Sequence, residues 1–173
     1  EISNMIKAPV TKNICGEIIR EDEEIPSGGA QAGEMVKMKT PKLKIEKQSD
    51  RSAYGVGGTG IYMLKVTQQR EGVTARNVII SDAFDREGMK ISEVSVLFNG
   101  KDITDQCKIQ TGETSFRIET GKNLKEDDEI QVKYQVLFQE MVEGDIQNTA
   151  VAESENGGKD QDMNIVIVRP AVL

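Results

Sequence analysis

The chain has 173 residues, enough for one well-packed domain with an extension, and a net charge of -7. Such an acidic chain lacks the cationic face that nucleic acids and anionic membrane surfaces require, so neither is expected as a partner. It contains no histidine, the most common general base and metal ligand, which excludes histidine-dependent triads and most zinc sites. Aromatic residues make up only 4%, so an aromatic-lined ligand pocket is not expected.

The N-terminal segment, residues 1–41, is expected to lie outside the main domain. Its acidic and glycine-containing stretch Glu21–Gly29 is typical of a linker. The apolar run Ile2–Ala8 resembles Ile146–Ala152, with Ile, Asn and the final Ala in register. We interpret the run as the last strand of a preceding repeat, and chance similarity of two strands is the alternative. The chain starts without a signal peptide and has no transmembrane segment, so we expect a mature segment of a longer protein with no membrane insertion.

From Lys42 onwards, short apolar runs alternate with Gly, Asn and Asp, and this pattern predicts an all-β fold with little helix. In the clearest strand, Ile130–Phe138, alternate residues are apolar, which predicts one buried and one solvated face. Asn99 and Gly100 predict a tight turn, since both accept positive φ. The regular turn signals favour an open antiparallel sandwich over a βαβ fold. The other predicted strands are Lys42–Gln48, Ile61–Thr67, Ala75–Asp82, Ser92–Phe98, Ser115–Thr120, Asp145–Glu153 and Asn164–Val168.

The same period of two predicts which side chains form the core of the sandwich. They are mostly β-branched or aliphatic, in keeping with the absence of tryptophan. The predicted core residues are Tyr62, Leu64, Val66, Val78, Ile80, Val94, Val96, Phe98, Ile130, Val132, Tyr134, Val136 and Phe138.

Three features that suggest other chemistry have simpler interpretations. Cys15 and Cys107 lack metal-type spacing and are either a disulfide or two thiols. The acidic stretches Glu126–Glu129 and Asn156–Asp162 do not match a calcium loop, and acidic loops are usually solvated, so no metal is expected. Gly55–Gly60 superficially resembles a phosphate loop but lacks its lysine and following helix, which favours a turn between strands.

A larger resemblance is carried by four segments in chain order: Tyr54–Tyr62, Val66-Thr67, Gly72–Asp82 and Asn148–Ala150. Together they resemble the conserved-repeat immunoglobulin-like domain of Gram-positive bacterial cell-surface proteins, over about residues 42–168. In that family a Tyr-x-Val-Gly-Asp-Thr stretch precedes a Thr-Ala-x-Asn-Val-x-Val-x-Asp strand, and an Asn-Thr-Ala strand closes the domain.

This sequence departs from the family pattern in its loops. Gly58 replaces the usual Asp, Gln68–Glu71 replaces an Asn-Thr-Gly turn, and Ala83-Phe84 replaces the residues that usually follow Asp82. These changes affect turns more than strands. They therefore weaken any inference about a loop-borne binding site and leave the fold prediction intact.

The resemblance implies an immunoglobulin-like antiparallel β-sandwich of Greek-key type, here residues 42–173. It implies an extracellular, cell-wall-associated stalk or spacer without cofactor or enzymatic turnover, with neighbouring repeats of the same surface protein as partners. The alternative is a binding module that recognises host extracellular matrix, a glycoprotein or a polysaccharide, through its loops. The low aromatic content favours the spacer, because a binding module should expose an apolar or aromatic patch.

Some members of such families form an internal Lys–Asn isopeptide bond assisted by a carboxylic acid. By resemblance the crosslinked residues are Lys47 and Asn148, and the assisting acid is Asp82. Strand periodicity independently places all three side chains on the apolar face of their strands. The alternative is that each is a strand-end residue whose polar tip reaches solvent.

Overall fold

The computed structural model describes residues 24–25, 36–37 and 39–170. The chain divides into two compact units, Glu1–Thr40 and Pro41–Leu173. In the first unit, strand β1 (Glu24–Ile25) pairs antiparallel with β2 (Val36–Lys37). The predicted strand Ile2–Ala8 and Cys15 lie outside the described residues. The second unit contains all three residues of the predicted crosslink.

The second unit is a sandwich of two sheets, and its described residues contain no α-helix and one 3-10 turn, Thr104–Gln106. One sheet has the strand order β4-β13-β12-β6-β10-β9 and the other β3-β5-β11-β7-β8. Strands consecutive in sequence repeatedly change sheets, as in a Greek key. The predicted immunoglobulin-like sandwich is thus confirmed. The strands are β3 (Leu43–Ser49), β4 (Ala53–Gly55), β5 (Thr59–Gln68), β6 (Ile79–Phe84), β7 (Met89–Phe98), β8 (Lys101–Asp102), β9 (Lys108–Thr111), β10 (Ser115–Glu119), β11 (Glu129–Phe138), β12 (Ile146–Glu153) and β13 (Lys159–Arg169).

The core forms where the alternating apolar faces of the two sheets meet, because period-two patterning brings every second side chain inward. Strands β5 and β11 lie at the centre of their sheet, and their inward side chains are fully buried. Eleven of the predicted core residues are confirmed as buried: Tyr62, Leu64, Val66, Val78, Ile80, Val96, Ile130, Val132, Tyr134, Val136 and Phe138. Val94 and Phe98 are only partly buried against this core.

A β-bulge in β7 explains why the prediction for that strand was incomplete. The pairing of β11 with β7 shifts register between Lys133 and Gln135, and Glu93 has a positive φ of 56°. The extra residue reverses the alternation, so Ile91 before the bulge and Val96 after it both point inward. A strict period of two cannot describe both halves of the strand, and the prediction began only at Ser92.

Two other expectations were wrong in detail. The predicted strand Ala75–Asp82 begins only at Ile79, because Asn77 adopts a positive φ of 49° and Ala75 forms only an isolated bridge with Leu124. The sandwich is also not purely antiparallel, since the short strand β4, which was not predicted, pairs parallel to β13. The turn at Asn99 and Gly100 is confirmed, with φ values of 50° and 83° between β7 and β8.

Strand β3 lies at the edge of its sheet, and the opposite sheet caps its free side. The backbone N–H groups of Ile45 and Lys47 donate to carboxylate oxygens of Asp160 (3.0 Å) and Asp162 (2.8 Å) on β13. These donors have no strand partner at an edge, and a hydrogen bond to a carboxylate is stronger than one to a neutral acceptor. The two aspartates therefore join the sheets along one side of the sandwich.

Gly60 at the start of β5 is packed against an aromatic stack, and Gly60→Ala is expected to destabilise the domain by about 2 kcal/mol through overpacking. A Cβ there would lie 2.6 Å from Cζ of Tyr54, whose ring stacks on Phe138 at 4.7 Å. Gly55→Ala is the matched control, since a Cβ there meets no atom within 4 Å. Thermal melts of the two variants test this, and equal melting temperatures would contradict it.

Candidate functional site

The structure brings together the three polar residues that the sequence predicted as a group. Asp82 on β6 lies opposite Ala150 of β12, and Asn148 lies two residues along the same strand, so their side chains are diagonal neighbours on the inward face. Lys47 reaches them from β3 in the opposite sheet. The exposed fractions are 8% for Lys47, 2% for Asp82 and 0% for Asn148. None of the three is therefore a strand-end residue with a solvated tip.

The Asp82 carboxyl group lies between the lysine amine and the asparagine amide and contacts each with a different oxygen. Lys47 Nζ donates to Asp82 Oδ2 at 2.7 Å, and Asn148 Nδ2 donates to Asp82 Oδ1 at 2.5 Å. The side chains of Lys47 and Asp82 are both completely inaccessible to solvent. One acid therefore contacts both an amine and a carboxamide in the dry core.

Tyr134 on β11 is a fourth member of this cluster, which the sequence placed only in the core. Its hydroxyl group accepts a hydrogen bond from Lys47 Nζ at 2.5 Å. The hydroxyl oxygen also lies 2.5 Å from Asp82 Oδ2 and 3.0 Å from Asn148 Oδ1, as a donor. The sequence signal that could have indicated this role is the tyrosine hydroxyl at a predicted core position, because a buried tyrosine hydroxyl normally has a polar partner.

Aromatic rings enclose the cluster and exclude water from it. Tyr62 stacks on Tyr134 with ring centroids 5.4 Å apart, and Phe116 meets Tyr134 edge-on at 4.9 Å. Lys47 Nζ lies 4.8 Å from the centroid of the Tyr62 ring and 5.2 Å from that of Tyr134. The rings offer the lysine cation–π contacts but little hydrogen bonding, so solvation of a charge stays weak.

Burial moves the two ionisable groups toward their neutral forms. Desolvation lowers the pKa of Lys47, although the neighbouring Asp82 opposes this change. Desolvation raises the pKa of Asp82, against the effects of Lys47, Tyr134 and Asn148. Because an ionised pair in the core would need excellent compensation for its lost hydration, the neutral amine and protonated acid are favoured. The site thus places an amine and an acid, both shifted towards their neutral forms, beside a carboxamide.

The bulge in β7 lies directly across from Tyr134. The register between β11 and β7 shifts between Lys133 and Gln135, which leaves Tyr134 without an aligned partner on that side. On its other side, Tyr134 is aligned with Tyr62 of β5. Bulges commonly lie next to functional sites, where they redirect side chains.

The alternative sites considered from the sequence have structural explanations. Asp160 and Asp162 bind backbone N–H groups of β3, and Asn156 Oδ1 accepts a hydrogen bond from the backbone of Arg76. Among the described residues, no group of three or more acidic or cysteine side chains is placed to hold a metal ion. Cys107 is described as a free thiol, and its suggested partner Cys15 is outside the described residues. The segment Gly55–Gly60 contains the turn that joins β4 to β5, as predicted.

The fold is that of domains from Gram-positive pilins and adhesins. The major pilin subunit BcpA of Bacillus cereus matches with a TM-score of 0.55 and 15% identity, over 75% of this chain and 41% of that chain. The major pilin SpaD of Corynebacterium diphtheriae matches with a TM-score of 0.56 and 13% identity, over 71% and 35%. The N-terminal domain of the Streptococcus gordonii adhesin Sgo0707 matches with a TM-score of 0.56 and 16% identity, over 75% and 32%.

In each case the match spans less than half of the other protein. No family model matches the sequence, and no curated protein matches it either. Within the part of the chain that the structure describes, no helix has the length and apolar character to cross a membrane.

Proposed function

We propose that the chain is a structural stalk module of a Gram-positive surface protein or pilus, tied internally by an isopeptide bond between Lys47 and Asn148. The observation that carries this proposal is the single buried carboxyl group of Asp82, which contacts both the Lys47 amine and the Asn148 amide. A hydrophobic core has no structural need for a lysine, an aspartate and an asparagine together, since burying them is costly. A covalent reaction among the three residues would account for their burial despite this cost.

The reaction is a single intramolecular transfer between two groups that both contact the Asp82 carboxyl group. The neutral Lys47 amine attacks Cγ of Asn148, so the Nζ–Cγ bond forms and the Cγ–Nδ2 bond breaks. Asp82 accepts a proton from Nζ on one oxygen and delivers a proton to Nδ2 from the other, and ammonia leaves. Asp82 ends protonated, as it began, and no cofactor or external enzyme is consumed. Holding the amine and the amide against the same carboxyl group supplies the large effective concentration that such a reaction needs.

A stalk role also agrees with the surface of the described residues. Their large exposed apolar side chains are Met141, Met163 and Ile165, none of them aromatic. Met163 and Ile165 lie on strand β13 and Met141 lies in the loop between β11 and β12, so the three do not form an apolar patch on a group of loops. We therefore favour a spacer over a loop-based binding module for host matrix or glycans. As a stalk module, the chain would be extracellular and wall-associated, with neighbouring repeats as its partners.

An intact-mass measurement under reducing conditions tests the crosslink. The native chain is expected to be lighter than its sequence mass by one ammonia, because the reaction expels Nδ2 of Asn148. Lys47→Ala, Asp82→Ala and Asn148→Ala should each have the full sequence mass, whereas the exposed-site control Lys65→Ala should keep the deficit. Fragmentation of the native chain should place the link between positions 47 and 148. A native mass equal to the sequence mass would disprove the isopeptide and leave the fold unaffected.

A further inference from the structure

The two polar atoms of the Asn148 amide face different partners. The nitrogen, Nδ2, donates to Asp82 Oδ1, whereas the carbonyl oxygen, Oδ1, is 3.0 Å from the hydroxyl of Tyr134. In the proposed crosslinking reaction, Nδ2 becomes the leaving group and Oδ1 gains negative charge when the amine attacks. The group that serves the leaving nitrogen and the group that faces the developing oxyanion are therefore different residues.

We propose that Tyr134 is a further catalytic residue of the crosslinking reaction, whose hydroxyl stabilises the oxyanion on Asn148 while Asp82 handles the protons of the amine and the leaving nitrogen. This inference rests on the proposed function. Asp82 remains the assisting acid that the resemblance implied, and the carbonyl oxygen is served by a second residue. Preorganised donors aimed at a developing oxyanion are among the largest contributions to catalysis in water-excluded sites.

The hydroxyl of Tyr134 is suited to this role because it keeps its proton and its position. Burial is the largest cause of a Tyr134 pKa well above its ordinary value, so the group remains a donor. Stacking on Tyr62 and the edge contact with Phe116 hold the ring. The donor is therefore in place before the charge develops.

The proton of Tyr134 has two acceptors before the reaction, Asp82 Oδ2 at 2.5 Å and Asn148 Oδ1 at 3.0 Å. When Asp82 Oδ2 receives the proton that Lys47 Nζ loses, that oxygen becomes an O–H donor and a weaker acceptor. The tyrosine proton is then directed to Asn148 Oδ1, where the negative charge is forming. For this change of partner, only the hydroxyl hydrogen of Tyr134 has to turn, and its ring can stay where it is.

Tyr62 provides a matched control for removing the hydroxyl. Tyr62 and Tyr134 are aligned on neighbouring strands, stacked on each other and fully buried. The Tyr62 hydroxyl has no hydrogen-bond partner among the described residues, so it donates to none of the reacting atoms. Tyr62→Phe thus removes one buried hydroxyl from the same aromatic stack and keeps the ring that lies against Lys47 and Tyr134.

The test is the intact mass of the full chain at purification and during incubation, for native protein, Tyr134→Phe and Tyr62→Phe. In the native chain and in Tyr62→Phe, all molecules are expected to be lighter than the sequence mass by one ammonia at purification. For Tyr134→Phe, most molecules are expected to have the full sequence mass at purification. They should then lose ammonia about 100-fold more slowly than the native chain, the usual effect of removing one oxyanion donor. Circular dichroism confirms that each variant is folded.

Each other outcome has a definite meaning. If Tyr134→Phe is as fully crosslinked as Tyr62→Phe at the earliest time, Tyr134 is not catalytic, and the proposed crosslink stands. If the native chain itself has the full sequence mass, the proposed function fails, and this inference fails with it. If Tyr134→Phe does not fold, 4-fluorophenylalanine at position 134 replaces it, because the fluorine fills the hydroxyl volume without donating a hydrogen bond. Complete crosslinking of that chain would equally overturn the role of Tyr134.

Discussion

Lys47→Met is expected to lower the free energy of unfolding by about 4–5 kcal/mol, because it removes the proposed covalent link, which closes a loop of about 100 residues. Methionine keeps the unbranched apolar stem of the buried lysine, and Asp82 retains its contacts with Tyr134 and Asn148. For a domain of this size the loss corresponds to a decrease of about 15 °C in melting temperature. Urea unfolding and thermal melts under reducing conditions measure it.

The control for this prediction is Lys65→Met on the neighbouring strand β5, where the lysine is exposed. Surface substitutions away from special features usually change stability by less than about 0.5 kcal/mol. If Lys47→Met and Lys65→Met had equal unfolding midpoints, position 47 would not anchor a stabilising crosslink.

Asp82→Ala is expected to lower stability more than Lys47→Met, although both variants prevent the proposed crosslink. In Lys47→Met the Asp82 carboxyl group keeps its contacts with Tyr134 and Asn148, whereas in Asp82→Ala the buried Lys47 amine keeps, among the described residues, only its hydrogen bond to Tyr134. An amine left buried without its acid costs about 3–5 kcal/mol. The double variant Lys47→Met with Asp82→Ala should therefore be more stable than Asp82→Ala alone, by about 3 kcal/mol. Urea unfolding of both variants measures this difference. Simple additivity would predict the reverse order, and observing it would contradict the argument.

The pH dependence of Asp82→Ala has a definite sign. Burial holds the pKa of Lys47 below its ordinary value of 10.5, and losing Asp82 removes the main interaction that raises it. Between the lowered pKa of Lys47 in the folded state and its ordinary pKa of 10.5 in the unfolded state, the folded state binds fewer protons than the unfolded state. Stability should rise with pH through that window and level off above 10.5. The double variant has no lysine at position 47 and should lack this trend.

The sequence predicted the membership of the site because strand periodicity is a local property. Lys47, Asp82 and Asn148 each fall on the apolar face of a strand, and in a two-sheet sandwich all such faces meet in one core. Whether their atoms touch depends on which strands are neighbours. The family pattern suggested which strands are neighbours, whereas the alternation of apolar and polar residues contains no information about strand order.

The parts that the sequence did not predict depend on long-range geometry. Tyr134 has the same pattern as any inward apolar residue of β11, and its role becomes visible only when Lys47, Asp82 and Asn148 surround its hydroxyl. The bulge in β7 inserts a residue without a glycine or proline to mark it. Strand β4 is only three residues long and joins its sheet through a parallel pairing, so its local sequence gives little signal.

The aspartates that cap β3 have a consequence for how such modules can be crowded together. An open sheet edge offers unpaired backbone groups on which another chain can add as an extra strand, which is a route to aggregation. At β3 the N–H groups of Ile45 and Lys47 are already occupied by Asp160 and Asp162, which also place negative charge along that edge. The edge that β3 forms is therefore not available for the addition of another strand. Many copies packed densely side by side would remain separate molecules and would not fuse into a continuous sheet.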